Sequence, residues 1–330
     1  SYLSLSFDPN TANKFVVVYR DDSNTDDGTA VVGTISGTSI SFGSEVVYNT
    51  ANTQYNDIAF DPNTANKFVV VYKDIGNGAY GTARVGTVSG TSISFGSAVV
   101  FNTGNTSYLA VAFDPNTANK FVVAYRDSGN SHYGTAIVGT VSGTTISYGS
   151  EYVFLSDTVY YIAITFDPNT ANKFVVAYAD AGNSYSGTAI VGTVSGTTIS
   201  FGSEYVFNNA QISDIAVSFD PNTAGNFIVT YRDEVNSQYG IAIVGTVSGT
   251  TISFSSEYIF NSAETGYTSV SFDPNTARDF VVAYKDQGNS NYGTAILGQI
   301  TAIVQATNLT STNFIGITDE AISSGATGKA

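Results

Sequence analysis

The stretch Phe60-Asp61-Pro62-Asn63-Thr64-Ala65-Asn66-Lys67-Phe68-Val69-Val70-Val71-Tyr72 decides how this chain is read. Its leading phenylalanine recurs at Phe7, Phe60, Phe113, Phe166, Phe219 and Phe272, a spacing of 53 residues each time. All 6 prolines fall inside the same unit, at Pro9, Pro62, Pro115, Pro168, Pro221 and Pro274. A period near 50 residues, filled with strand signals, marks a propeller or another repeat array.

Working outward, Tyr2-Leu-Ser-Leu-Ser-Phe7 alternates with period two and reads as a strand. A tyrosine opens this strand at Tyr2, Tyr55, Tyr108, Tyr161 and Tyr267, with Asp214 in its place in the fifth copy. In later copies the residues one and three before the phenylalanine are mostly small, such as Ala110 and Ala112 or Ser269 and Ser271, which suits the crowded centre of a propeller. Asp-Pro-Asn-Thr then turns the chain, proline presetting φ while the Asp and Asn side chains bond nearby amides. The following run, such as Phe121-Val-Val-Ala-Tyr125, is apolar on both faces and predicts a middle strand covered on both sides. A second connection spans 127–134, and a third strand, Thr135–Val141, leads to a tight hairpin at Ser142–Thr144. The fourth strand, Thr145–Phe154, alternates like an outer edge, and its Gly149 predicts a bulge.

Four antiparallel strands in each of six copies predict an all-β fold, a six-bladed β-propeller. The copies lie near 2–48, 55–101, 108–154, 161–207, 214–260 and 267–308, together a domain over 1–308. A β-solenoid is the other fold considered; its coils are usually shorter and lack hairpins after each strand. The sixth copy departs from the pattern, because the Ser-Gly-Thr hairpin is missing after Ile300. Either 301–308 supplies a substitute edge strand or residues upstream of Ser1 close the ring. The Ser/Thr/Gly/Ala-rich stretch 309–330 reads as a linker or the start of a further module. Ser1 enters directly on the first copy, so no signal peptide and a trimmed or processed start are expected.

Composition narrows the function classes. A 42% hydrophobic content supports a substantial core, and a mean hydropathy of +0.06 fits a soluble protein. No run of about 18 apolar residues exists, so no membrane insertion is expected. The chain has no Cys, which excludes disulfides, thiol nucleophiles and zinc–thiolate sites. A net charge of −15 disfavours nucleic acid and anionic membrane surfaces.

Most acids are locked to the repeat, as the Asp of Asp-Pro-Asn or the Asp ending the second strand (Asp21, Asp74, Asp127, Asp180, Asp233, Asp286). Glu45, Glu151, Glu204 and Glu257 recur on the fourth strand. Catalytic carboxylates need unlike environments at one place, whereas groups copied in every repeat do the same structural work. Only Asp57 and Asp214 are irregular acids on inner strands. His132, the single histidine, occupies a variable loop position, which argues against a Ser-His-Asp triad or a His-based metal site. Asp22, Asn24 and Asp26 place oxygen ligands at alternate residues and form a candidate Ca²⁺ loop, although the glycine falls one place late. No other cofactor is expected. Arg84 replaces the Val or Ile of the other copies and is expected to snorkel from a partly open third strand.

Comparing the chain with itself separates two faces. The Asp-Pro-Asn-Thr-Ala connections and the Ser-Gly-Thr hairpins barely vary, and both lie at one end of the strands. The second-to-third loops and the links between copies lie at the other end and differ throughout. Loops on a rigid scaffold are where recognition resides. Tyr80, Tyr133, Tyr185, Tyr239 and Tyr292, beside Asn130, Asn183 and Asn289, make a candidate ligand-binding surface of the Tyr/Ser/Gly/Asn kind.

Units of the form FDPNTANKFVVAYRD…GTAIVGTVSGTTISFGSE resemble the repeat propellers of marine bacteriophage tail or fibre structural proteins. Residues 313–328 resemble a segment of such virion proteins that leads into further domains; similar repeats also occur in bacterial surface proteins. The resemblance covers nearly the whole chain and carries no catalytic motif. It implies a virion or cell-surface location, a host glycan or protein as partner, and other virion or surface subunits as neighbours. The leading expectation is a non-enzymatic attachment module. The alternatives are a propeller glycoside hydrolase or lyase, with asymmetric carboxylates at the central opening, and an architectural spacer.

Overall fold

A computed structural model describes residues 2–300. The substitute strand expected over 301–308 and the linker expected over 309–330 lie outside them. The described residues are all-β: strands, joined by turns and four single-turn 3-10 segments, with no α-helix. The chain divides into two compact units, one running to Phe166 with Ala171–Phe174 and Gly192–Phe201, the other comprising Asp167–Thr170, Val175–Val191 and the chain from Gly202.

The third copy shows the design. The end of strand Val99–Phe113 pairs antiparallel with Lys120–Asp127, which pairs with Tyr133–Ser142, which pairs with the start of Thr145–Phe166. Four antiparallel strands per copy are thus as expected. The expected polar link between copies is different. Val99–Phe113, Thr145–Phe166 and Thr198–Phe219 are continuous strands, each serving as the outer edge of one copy and the inner strand of the next. The second copy interrupts its outer edge at 96–98, between Ser92–Phe95 and Val99–Phe113. The first and fifth copies also break the link, leaving Val46–Asn49 and Tyr258–Asn261 as separate short strands. In the sixth copy three strands are described, Thr265–Phe272, Asp279–Asp286 and Tyr292–Gln299.

The doubly apolar second strand packs as its pattern demands. In the second copy Phe68, Val70 and Tyr72 join Val16 and Val18 of the first copy in one core. The alternate residues Val69 and Val71 join Phe121, Val123 and Tyr125 of the third copy in another. Successive residues of a strand point to opposite faces, so one strand stitches two interfaces. Burying each such side chain stabilises by about 1.5–3 kcal/mol. The second unit repeats this with Ile228, Phe260, Phe280 and Val282.

The bulge expected at Gly149 is present, since Ile137 faces Glu151 while Gly139 faces Tyr148. Its glycine has a steric cause. A Cβ on Gly96 would lie 1.9 Å from the Thr144 carbonyl oxygen in the next copy's hairpin, and Gly43, Gly149 and Gly202 face Thr91, Thr197 and Thr250 in the same way. The fifth copy carries Ser255 there, and the sixth copy has no Ser-Gly-Thr hairpin to meet it.

The uniform connections are uniform because they bond one another. The Asp61 carboxylate accepts the Asn63 amide at 2.9 Å, closing its own turn, and the Asn119 amide of the next copy at 3.2 Å. Asn63 Nδ2 donates to the Pro115 carbonyl at 3.1 Å, and Asn169 Nδ2 repeats this to Pro221 at 3.2 Å in the second unit. Lys67 Nζ donates to the Gly143 carbonyl, and Lys120 Nζ to Gly196 at 2.5 Å. Asn66, Asn119 and Asn172 hold φ of 64°, a left-handed conformation that Asn tolerates and that Gly225 adopts in the fifth copy.

Candidate functional site

At the opposite end, each second-to-third loop has a fixed backbone and a free side chain. In the third copy Asp127 Oδ1 accepts the amides of Gly129 at 2.9 Å and Asn130 at 3.2 Å, capping a single 3-10 turn over Ser128–Asn130. Two left-handed residues follow, Ser131 and His132, matched by Gly78 and Ala79, Ser184 and Tyr185, Ser237 and Gln238, and Ser290 and Asn291. The second residue of the pair turns its carbonyl to the next copy. Ala79 accepts the Thr106 amide at 3.1 Å, Tyr185 accepts Ile212 at 3.1 Å, and Gln238 accepts Thr265 at 2.9 Å. The inter-copy bond uses backbone only, which leaves the side chain at this position free to vary. His132 is one such exposed residue.

The expected tyrosine set divides. Tyr80, Tyr133, Tyr239 and Tyr292 open the third strand opposite the closing aspartates Asp74, Asp127, Asp233 and Asp286. Tyr185 does not belong with them. It holds the left-handed position of His132, with φ 61°, and buried Ser186 takes the equivalent tyrosine place. Asn130, Asn183 and Asn289 close the 3-10 turns and are exposed.

Within the first unit a cavity of about 660 Å³ opens between the link entering the third copy and that copy's own loop and outer strand. Asn102, Asp127, Asn130, Tyr148 and Glu151 line it around the ring of Phe101. Asn130 is the one expected site residue that it gathers. Asn102 Nδ2 donates to Glu151 Oε1 at 3.1 Å, and Tyr125 Oη donates to the same oxygen at 2.6 Å. Burial, and then that bond to Glu151, push the Tyr125 hydroxyl well above its usual range. The Tyr148 hydroxyl is buried without a hydrogen-bond partner. Other copies carry Phe42, Phe95, Phe201 and Phe254 at this position.

The glutamates of the fourth strand have one shared task. Tyr19 donates to Glu45, Tyr178 to Glu204 at 2.8 Å and Tyr231 to Glu257 at 2.7 Å. The second copy lacks this acid and has Ala98. There Arg84, at the position of Ile137, does not snorkel outward but turns in. Its Nε donates to the Gly96 carbonyl at 2.9 Å, another nitrogen donates to Tyr48, and its guanidinium lies 5.9 Å from the Phe95 ring centre.

The candidate Ca²⁺ loop already holds a cation. Arg20 Nε lies 2.6 Å from Asp22 and 3.6 Å from Asp26, while Asn24 Nδ2 donates to Asp27 at 3.1 Å. The guanidinium pulls the Asp22 carboxyl below its usual range. Among the described residues no cluster of three acid or histidine side chains is arranged to hold a metal ion. The irregular acids are likewise engaged. Asp57 accepts hydrogen bonds from Ser4, Ile58 and Val111, and Asp214 accepts the Tyr267 amide at 3.1 Å and lies 3.8 Å from Arg232. A second cavity, at the uniform end of the inner strands, is lined by Phe7, Pro9, Phe60, Pro62, Phe113 and Pro115 and has no carboxylate in its wall.

No protein-family model matches the chain. No curated protein matches it either. Solved structures do. AofleA from Arthrobotrys oligospora aligns with a TM-score of 0.59 at 10% identity, over 91% of this chain and 83% of its own. The BP39L lectin from Burkholderia pseudomallei aligns with a TM-score of 0.55 at 10% identity, over 93% and 99%. Sqt1 from Chaetomium thermophilum aligns with a TM-score of 0.56 at 10% identity, over 92% and 82%. At this identity the likeness concerns the fold.

Proposed function

We propose that the chain is a non-catalytic carbohydrate-binding module that engages a saccharide through its individual loop face. The observation that carries the reading is the cavity beside Phe101. Glu151 and Asp127 are acceptors for sugar hydroxyls, Asn102 and Asn130 are donors and acceptors, and Phe101 and Tyr148 supply the aromatic wall. An apolar ring under a few convergent polar groups is the usual make-up of a small-ligand site. That one structural neighbour is a lectin agrees with this reading.

The finer architecture belongs to the same proposal: a β-propeller with one blade for each of the six copies. The first copy exposes Leu5 and Phe7, equivalent to the buried Ile58 and Phe60 of the next copy. The sixth copy exposes Val281 and Leu297, equivalent to the buried Val69 and Val85. Each is a face that a neighbouring blade covers in interior copies. Placement on a virion or cell surface, attached to a host glycan, rests on the resemblance to phage tail and fibre repeats.

Glycan-array screening followed by titration calorimetry with Asn130→Ala tests the binding reading, since Asn130 is exposed in the cavity wall and only its backbone amide serves the turn. Loss of saccharide binding with unchanged thermal stability is the expected result. Saccharide binding that Asn130→Ala leaves intact removes the cavity from the account, and release of a cleaved sugar restores the hydrolase alternative.

A further inference from the structure

The residue before each closing aspartate is Arg20, Lys73, Arg126, Ala179, Arg232 or Lys285, and the residue two places on differs from copy to copy. Where it is acidic it neutralises the cation: Arg20 meets Asp22 and Arg232 meets Glu234, each at 2.6 Å. In the second and third copies that place is taken by Ile75 and Ser128. Among the described residues no carboxylate lies within ion-pair distance of Lys73 or Arg126. Lys73 and Arg126 lie close enough for each to disfavour the other's charge.

Both cations sit over tyrosines instead. Lys73 Nζ lies 5.8 Å from the ring centre of Tyr55, and the Arg126 guanidinium lies 4.8 Å from Tyr108 and 4.7 Å from Tyr160. Arg126 Nε is fixed by Ser107 Oγ at 3.0 Å. The rings form a row, with Tyr2 4.8 Å from Tyr55, Tyr55 5.2 Å from Tyr108, and Tyr108 5.3 Å from Tyr160. Tyr55 and Tyr108 hold φ of 51° at a bulge in the inner strand, a left-handed conformation that a residue with a Cβ rarely adopts. None of these side chains is fully buried, so the row and its cations are open to solvent. The row lies at the loop-face end of the inner strands, where Ser107 pairs with Arg126. Burial and the neighbouring Arg126 lower the Lys73 pKa, the mark of a cation short of a counter-charge.

We propose that Lys73 and Arg126, with the row formed by Tyr55, Tyr108 and Tyr160, bind an anionic saccharide, its negative group between the two cations and its sugar faces on the rings. This rests on the saccharide-binding reading and adds to it a second subsite, built from residues other than those lining the cavity beside Phe101. Arg and Lys supply charge-assisted donors to carboxylate or sulfate, and tyrosine faces take the apolar side of a sugar.

Calorimetry of the whole chain with an oligogalacturonate, a sulfated oligogalactan, a neutral oligogalactan of equal length and inorganic sulfate tests it. Binding of at least one acidic oligosaccharide, weakened about tenfold or more by Lys73→Gln or Arg126→Gln and falling with added salt, is the expected result. The two acidic ligands distinguish carboxylate from sulfate recognition. Ser128→Glu is the decisive variant, because it gives Arg126 the partner that Glu234 gives Arg232 and keeps every ring and cation in place. It is expected to weaken acidic-saccharide binding with thermal stability unchanged or raised. Equal affinity for neutral and acidic oligosaccharides, or acidic binding unaffected by all three variants, overturns the proposal and leaves the cavity reading standing. Response to inorganic sulfate but to no saccharide overturns it as well. Absence of any saccharide binding defeats both readings.

Discussion

Ser4 Oγ donates to Asp57 Oδ1 at 2.7 Å, joining equivalent positions of the first and second copies. The other oxygen accepts the Val111 amide of the third copy at 2.8 Å, so one carboxylate ties three successive inner strands. The third, fourth and fifth copies carry Ala110, Ala163 and Ala216 at this position. An acid here is an insertion into a repeat that manages without it.

Burial raises the Asp57 carboxyl above its usual range, outweighing the three donors that hold the charged form. A carboxyl whose folded pKa is raised binds protons more tightly in the native state than in the unfolded chain. It therefore favours folding at low pH, and that contribution is lost as pH rises through the interval between the two values. Asp57→Ala is expected to lose stability relative to the parent as pH falls from about 7 to about 4. Denaturant titrations across that range check the sign. A parent that gains on the variant as pH rises contradicts it.

Tyr125 and Tyr72 are the same residue of adjacent copies with different partners. Tyr125 donates to Glu151 at 2.6 Å, while the copy of Tyr72 has Ala98 where that glutamate stands. Tyr125→Phe is expected to cost about 1.5–3 kcal/mol, the range for hydrogen bonds to charged groups, and Tyr72→Phe less than about 0.5 kcal/mol. Equal losses on chemical denaturation would show that the Tyr–Glu pair does not carry the difference.

Gly96 and Ser255 hold equivalent places under unlike neighbours. A side chain at Gly96 meets the Thr144 carbonyl oxygen at 1.9 Å, and backbone cannot give way as a flexible side chain can. Gly96→Ser is expected to cost roughly 3 kcal/mol or to prevent folding. Ser255→Gly, which gives up the bond from the Val244 amide to Ser255 Oγ at 3.2 Å, is expected to cost about 1–2 kcal/mol. Melting temperatures of the two variants decide it.

The uniform face makes its own forecast. Asp61 closes one turn and holds the next copy, so Asp61→Asn, which can accept through one oxygen only, is expected to cost about 1.5–3 kcal/mol. His132→Ala, where the inter-copy bond is made by backbone, is expected to stay within about 0.5 kcal/mol of the parent by chemical denaturation.

Strands and turns were legible because their causes are local. Phe121–Tyr125 is apolar on both faces, and Asp-Pro-Asn turns through its own side chains. What escaped depends on contacts between copies. Nothing in the order Thr198–Phe219 announces that outer edge and inner strand are one strand, since the link residues are polar like those of a loop. Tyr185 looked like a member of the tyrosine set because composition does not reveal a one-residue shift into a left-handed position. The cavity was invisible for the same reason: Asn102 and Glu151 are 49 residues apart and meet only when neighbouring copies pack. The acids missing after Lys73 and Arg126 could have been read directly, by aligning the copies and asking which cations lose their partner.

The central claim is a division of labour between a uniform face that binds copy to copy and an individual face that binds a saccharide. Calorimetric titration of an array-selected saccharide into the parent, Asn130→Ala and Asn63→Ala, with melting curves of each, tests it most directly. The expected result is that Asn130→Ala loses binding and keeps its melting temperature, whereas Asn63→Ala melts lower and binds as the parent does. Undiminished binding by Asn130→Ala together with loss in folded Asn63→Ala would place recognition on the uniform face and contradict the account.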